Sequence, residues 1–410
     1  MAIVPAVRGV RAQYFLAFGA MGSVLPFLSV FLAERGLSRS QIGYVTGAAS
    51  LGVVLTPVLI TLLADAAVAG RVLMAAVFTI SAGMLVAVLG VNGFWPILVA
   101  YALHALAFAP IAPLQDGIYF AAASRDPVAP PYHVVRVWGT VGYIVPSAVL
   151  YFVLTRVSSV APALACGAAM CVGGALNALL FLPRVDEQLA HDVERKRNRL
   201  PTIAAARALL EPHVLVFCVA MALVHFAAAG YYQLYPLYLT DNLGIEKRWV
   251  GVIANVGVVV EIFFMLGFGW LSARLTLRGL MIAGVATIVL RLLLLAFVPT
   301  NAVAIGTQLL HGMMVLVLHV APPIYLNARA GETFRSSIQG LYAMAVAGGA
   351  RIVGSIVTGR VAEYSLALTF AGCAALCVIA AGLFYFAFRE ENRKTRGTVS
   401  NPATAAAAAV

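Results

Sequence analysis

Charge is what this sequence has least of. Only 10% of its 410 residues are Asp, Glu, Lys or Arg, against about 25% in an ordinary soluble domain. So few charges cannot clothe a water-facing surface, which excludes a soluble globular enzyme and leaves most of the surface to lipid. Cysteine is sparse too. Cys166, Cys171, Cys218, Cys373 and Cys377 lie in or beside apolar stretches with no CxxC pair; that pattern speaks against a zinc or redox motif and for small packing residues. HExxH, GxSxG and the GxxxxGK[ST] phosphate loop are also missing, so neither a membrane-embedded enzyme nor a self-contained ATP-driven pump is indicated. No cofactor and no metal site is expected.

What the chain does have is apolar length. The apolar set makes up 62% of the residues, and the mean hydropathy is +0.96. A membrane span needs roughly 20 mostly apolar residues. Such stretches recur at 11–33, 42–63, 71–91, 96–120, 134–155 and 159–182, then at 214–240, 249–271, 279–298, 302–326, 337–360 and 365–388. The predicted fold is therefore all-α and membrane-embedded, with twelve transmembrane helices. Arg8 and Arg11 precede a first apolar run of full span length with no small-residue cleavage site, so that run is expected to be retained.

One long hydrophilic interruption, 183–213, divides the spans six and six. The predicted organisation is an N-terminal six-helix bundle at 1–182, a linker loop at 183–213 and a C-terminal six-helix bundle at 214–390. An Ala-rich tail at 391–410 is expected to be disordered. Of the 27 Lys and Arg residues, nineteen fall on the side of the termini and the long loop, six on the opposite side, and Arg291 and Arg351 within spans. By the positive-inside rule both termini are cytoplasmic. The +11 net charge then follows from topology and implies no nucleic-acid partner. The halves also echo one another: Gly36 and Gly43 bracket the first short turn and Gly244 and Gly251 its counterpart, both offset by 208 positions, as in folds built from parallel repeats.

Ionisable groups deep in a bilayer cost at least ~2.5–3.5 kcal/mol on insertion scales and ask for a partner or an aqueous cavity. Glu261 lies roughly 18 Å into its span at about 1.5 Å per residue. Arg291, His311, His225 and Arg351 lie at similar depth in neighbouring spans, whereas the first half has only His104. One midplane acid against two arginines leaves an excess of positive charge suited to a carboxylate; alternatively, Arg351 caps carbonyls at a helix break near Gly348-Gly349-Ala350. His104 and Gln115, eleven residues apart, share a helical face flanked by Tyr101 and Tyr119. With His225 and the Tyr231-Tyr232-Gln233 run they are candidate substrate contacts, against the plainer reading of packed polar residues; His319 is a weaker candidate still. Asp116 with Arg136, and Asp65 with Arg71, are candidate gates near the cytoplasmic ends of their spans, or else anchors at the headgroups.

Three stretches resemble the major facilitator superfamily: Tyr14-Phe15 with Leu25-Pro26-Phe27-Leu28 and Glu34-Arg35-Gly36-Leu37-Ser38; Pro113-Leu114-Gln115-Asp116 with Val135-Arg136-Val137-Trp138-Gly139; and His311-Gly312 with Gln339-Gly340-Leu341-Tyr342. Within it the chain resembles the branch of phenylpropionate permease, the nucleoside–proton symporters and lactose permease. It departs from the superfamily's loop between spans 2 and 3, with Thr61 and Ala66 at positions usually held by Gly and Arg.

The resemblance implies a monomeric secondary active transporter in a bacterial inner membrane, in which two bundles rock about a midplane site. It also implies a small-molecule substrate and a proton as coupling ion. By position, Glu261, Arg291 and His311 match the Glu, Arg and His that couple protons in lactose permease. Burial favours a protonated carboxyl and a nearby arginine favours an ionised one, so such a trio suits a change of protonation; a structural ion pair between Glu261 and Arg291 is the alternative. An aromatic or other organic acid is the expected substrate. A nucleoside or sugar, or export in place of import, remains open because fold alone does not choose.

Overall fold

The computed structural model describes residues 3–56, 70–123, 129–183, 202–330 and 335–388. They are helical, with no strand among them. In hydrocarbon every backbone N–H and C=O must be satisfied within its own segment, and a helix does this without partners. Ten helices are long and apolar enough to span a bilayer, or eleven if Arg8–Val24 and Leu28–Glu34, bent by 44° at a short break, form one span.

In the first half the helices are α1 (Ile3–Val24), α2 (Leu28–Glu34), α3 (Arg39–Ala49), α4 (Gly70–Gly90), α5 (Phe94–Phe108), α6 (Ile111–Ala123), α7 (Tyr132–Val153) and α8 (Ala161–Phe181). The second half comprises α9 (Thr202–Leu209), α10 (Pro212–Leu237), α11 (Arg248–Arg274), α12 (Leu277–Phe297), α13 (Asn301–Gly306), α14 (His311–Val315), α15 (Ala321–Ala330), α16 (Arg335–Leu341), α17 (Gly349–Tyr364) and α18 (Leu366–Gly382). Helix starts in the short turns are chemically marked. Ser38 and Gln41 form a reciprocal capping box at α3, and the hydroxyls of Thr276, Thr300 and Ser365 accept from the backbone N–H three residues on. Each satisfies a donor that the helix itself leaves open.

The chain forms two compact units, Met1–Arg199 with Gln233–Asn255, and Leu200–Tyr232 with Val256–Val410. Thus α10 begins in the second unit and α11 ends there, while the end of α10, the start of α11 and the turn between them belong to the first. In the first unit α1 packs on α7 and α8, and α4 on α5 and α8. The α1–α7 approach is backbone on backbone. A Cβ at Gly22 would sit 2.1 Å from the Tyr143 carbonyl oxygen, and one at Gly142 would sit 2.2 Å from that of Phe15. In the second unit Gly354 of α17 meets the Phe226 carbonyl of α10 in the same way, at 2.6 Å from its virtual Cβ, and Gly230 meets Thr358. Gly22 and Gly230 stand 208 positions apart, the offset that the turn glycines already share. Those turn glycines, Gly36 and Gly244, adopt φ of 76° and 63°, a region open to glycine at little cost.

The second half is the less regular. The span after Asn301 runs through a 3-10 turn at Thr307–Leu310 and a π-helical turn at Leu316–Val320, with His311 between them. A second π-helical stretch, Tyr342–Gly348, leads into α17 and Arg351. Single π turns inside helices mark functional sites more often than chance, and these two flank the midplane charges.

Candidate functional site

Among the described residues Arg291 is the largest fully buried side chain, 1% exposed on α12. Its guanidinium stacks on the Tyr231 ring at 4.1 Å, donates to the Tyr231 hydroxyl, and lies 3.2 Å from His311 Nδ1. Gln308 donates to the same Tyr231 hydroxyl at 3.3 Å. The 3-10 turn places Gln308 and His311 together against α11, which accommodates them at Gly257; a Cβ there would fall 2.6 Å from Gln308 Oε1 and 3.0 Å from the His311 ring. Glu261, one turn beyond Gly257 on the same face of α11, is half-buried and shares an electrostatic neighbour, Tyr232, with Arg291 and Arg351. Tyr232 meets His311 edge to face at 6.0 Å, yet leaves 39% of its surface open. The second unit therefore gathers Arg291, His311, Tyr232, Glu261 and Arg351 around one exposed aromatic ring.

His225 of α10 is 1% exposed. Its Nε2 lies 3.3 Å from the Tyr342 hydroxyl, and its Nδ1 has no hydrogen-bond partner among the described residues. Arg351 acts electrostatically on His225, His319, Tyr232 and Tyr342. His319, the weaker candidate from spacing alone, is carried on the π turn and exposed. The extra residue of a π turn changes which side chains share a face, so period counting along that span misplaces it.

The first unit holds a separate network. The Asp116 carboxylate accepts from the hydroxyls of Tyr14 and Tyr132, the latter at 3.1 Å. Arg136 feels the Asp116 charge but lays its guanidinium over Phe18 at 4.1 Å and Tyr14 at 5.8 Å. His104 is satisfied inside its own bundle, 2.8 Å from Ser81 Oγ, with the Tyr101 ring tilted against it at 5.3 Å. Gln115 is 2% exposed, and both its amide atoms lack a hydrogen-bond partner among the described residues. Arg71 begins α4 half-buried; Asp65, named with it as a gate, lies outside the described residues. Tyr14, Tyr132, Tyr231, Gln308 and Tyr342 emerge only from the structure as the partners of these charges. Tyr14 and Tyr342 stand in the family-like stretches and Tyr231 in a tandem Tyr231-Tyr232, but nothing in the sequence pairs them with a charge.

No group of three His, Cys, Asp or Glu residues suited to a metal occurs among the described residues. The chemistry on offer is recognition and charge: guanidinium and imidazole donors for an anion, phenols for hydrogen bonds, aromatic faces for stacking and one carboxylate for a proton.

Comparison with known proteins agrees on the class. The chain is 25% identical over 368 residues to the probable 3-phenylpropionic acid transporter of Escherichia coli (strain K12), covering 88% of this chain and 93% of that one. It is 22% identical over 419 residues to the xanthosine permease of the same organism, covering 92% and 95%. The crystal structure of the nucleoside transporter NupG superposes with a TM-score of 0.81 at 20% identity, over 94% of this chain and 100% of that one. The profile of the MFS_1 like family matches residues 9–372, and the chain belongs to that family: it is a membrane transporter of the major facilitator superfamily, located in a bacterial inner membrane and not an enzyme.

Proposed function

We propose that the chain is a secondary active symporter that uses protons to accumulate a small organic acid by alternating access. The proposal includes the topology: twelve spans, with residues 39–56 opening the second of them, both termini cytoplasmic, and bundles at 1–182 and 214–390 joined by the 183–213 loop. The observation that carries the substrate class is the charge balance in the second unit. Two arginines and three histidines gather there with one carboxylate, Glu261. The two arginines exceed that carboxylate by one positive charge; burying it without an anion is costly, and a substrate carboxylate would balance it through charge-assisted hydrogen bonds. The 3-phenylpropionic acid transport named for one relative fits that balance and an exposed Tyr232 ring beside it.

In this reading Arg351, with His225 and Tyr232, takes the carboxylate, while Tyr101, His104 and Gln115 stay candidate substrate contacts of the first unit. Glu261 takes and releases the proton, with Arg291 and His311 setting its charge environment. Asp116 with Arg136, and Asp65 with Arg71, act as cytoplasmic gates. A nucleoside is the second reading, favoured by the xanthosine named for another relative and by the stackable face of Tyr232.

Purified protein in proteoliposomes decides between them. Uptake of labelled 3-phenylpropionate driven by an inward proton gradient and abolished by an uncoupler supports the proposal. Uptake of xanthosine alone replaces the acid by the nucleoside. Uptake of either solute undiminished by the uncoupler overturns the coupling.

A further inference from the structure

The turn between α10 and α11 comes from the second half of the sequence, yet it packs within the first unit. Its contacts are layered. Outermost, Lys247 Nζ lies 2.6 Å from Glu34 Oε1 and Arg39 pairs with Asp241 at 3.7 Å. Next, Trp249 packs against Tyr151 with ring centroids 4.8 Å apart. Deeper, Gly251 is close enough to Phe27 and Ser147 that a Cβ would sit 2.8 and 3.2 Å from them. Deeper still, Asn255 donates to the Ile144 carbonyl at 3.1 Å, and Thr46 donates to Gln233.

Glu34 is the unequal partner. Its carboxylate already accepts from Ser159 Oγ at 2.7 Å and from the Val160 N–H at 3.0 Å, so it caps the start of α8 from across the bundle. A negative charge at a helix N-terminus is favourable. Remove Lys247 and Glu34 stays satisfied; the lysine stem, by contrast, reaches in from a turn and is 41% exposed. The fixed half of this pair belongs to the first bundle and the detachable half to the α10–α11 turn. Below it lies a layer of small and apolar contacts able to part without stranding a charge.

We propose that Lys247 on Glu34 is a releasable latch that holds the outer side of the transporter shut, with Glu34 as its permanent socket. This rests on the transport cycle and orientation proposed above. Exposed ion pairs are weak, which suits a contact that must break once in every cycle.

The test reads access to a buried position behind the latch, with no substrate present. Ser147, 0% exposed, is replaced by Cys in the full chain, and labelling by a membrane-impermeant maleimide is timed from each side, the parent chain giving the background. In S147C, labelling from the outer side is slow. Adding Lys247→Met accelerates it about three- to fivefold, the scale of an exposed ion pair, with the melting temperature unchanged; Lys247→Arg keeps it slow. Glu34→Gln, which retains an oxygen for the Val160 N–H, accelerates it nearly as much, and the double variant little further, because the ion pair is what they share and Lys247 has beside it only a 3.4 Å bond to the Ser158 carbonyl. Labelling unaltered by Lys247→Met, or accelerated only together with a fall in melting temperature, overturns the latch. Acceleration confined to reagent on the side of the termini keeps the latch and overturns the orientation, and loss of uptake in the unmodified protein bears on the transport proposal alone.

Discussion

Arg291 shows what one buried charge asks of its surroundings. It is closed to solvent, so each donor it carries must find an acceptor or a π face, and Tyr231 supplies both. Arg291→Met takes the guanidinium away from the His311 imidazole and from the Tyr231 hydroxyl, which keeps Gln308, at about 1–3 kcal/mol for a buried group left unsatisfied. We expect a clearly lowered melting temperature in detergent. Arg291→Lys fails to restore it, since an ammonium can neither fork between two partners nor stack as a guanidinium does. Glu261 makes a different prediction. Glu261→Gln keeps the shape and loses the exchangeable proton, so proton-driven accumulation disappears while counterflow exchange persists; equal loss of both would make Glu261 a structural residue. At this scale the charges were legible from the sequence because each violates the apolar rule of its span. Their partners were not, since a tyrosine in a membrane helix is ordinary until a cation is seen against it.

Helix pairs are held by backbone proximity as much as by side chains. With lipid as apolar as leucine, helix association draws on close packing, and Gly22, Gly142 and Gly354 let backbones meet where any side chain would collide. Gly142→Val should be among the most damaging single changes in the first unit. A valine there must displace the Phe15 backbone, and overpacking of this kind costs ~1–3 kcal/mol or more; thermal melting measures it, with Gly83→Val, which faces open space, as the control. At the two turns, Gly36→Ala and Gly244→Ala each force an L residue to positive φ, about 1–2 kcal/mol per site, and the two losses should be alike if the repeat is real. Apolar runs located the helices. They gave no warning of the 3-10 and π turns around His311 and Arg351, because a shift in hydrogen-bond register leaves hydropathy unchanged.

For the molecule as a whole, the division into two units cuts across the division of the sequence into halves. The long hydrophilic loop divides the predicted spans six and six, whereas the contacts assign 233–255 to the first unit. The predicted orientation is tested by a cysteine at Asn242, exposed in the α10–α11 turn, together with a tag at the C-terminus. The first should react only from outside the cell and the second only from within; reaction of both from one face would overturn the twelve-span topology. Composition was sufficient for the membrane class and the helical fold, because lipid demands long apolar helices; the superfamily was legible only through the resemblance of three particular stretches. Only the tertiary structure decided which side chains face Arg291, which carboxylate receives Lys247, and that Asp116 is held by two phenols. Those pairings join residues 16 to 213 positions apart, and no local periodicity encodes the rotation of one helix against another.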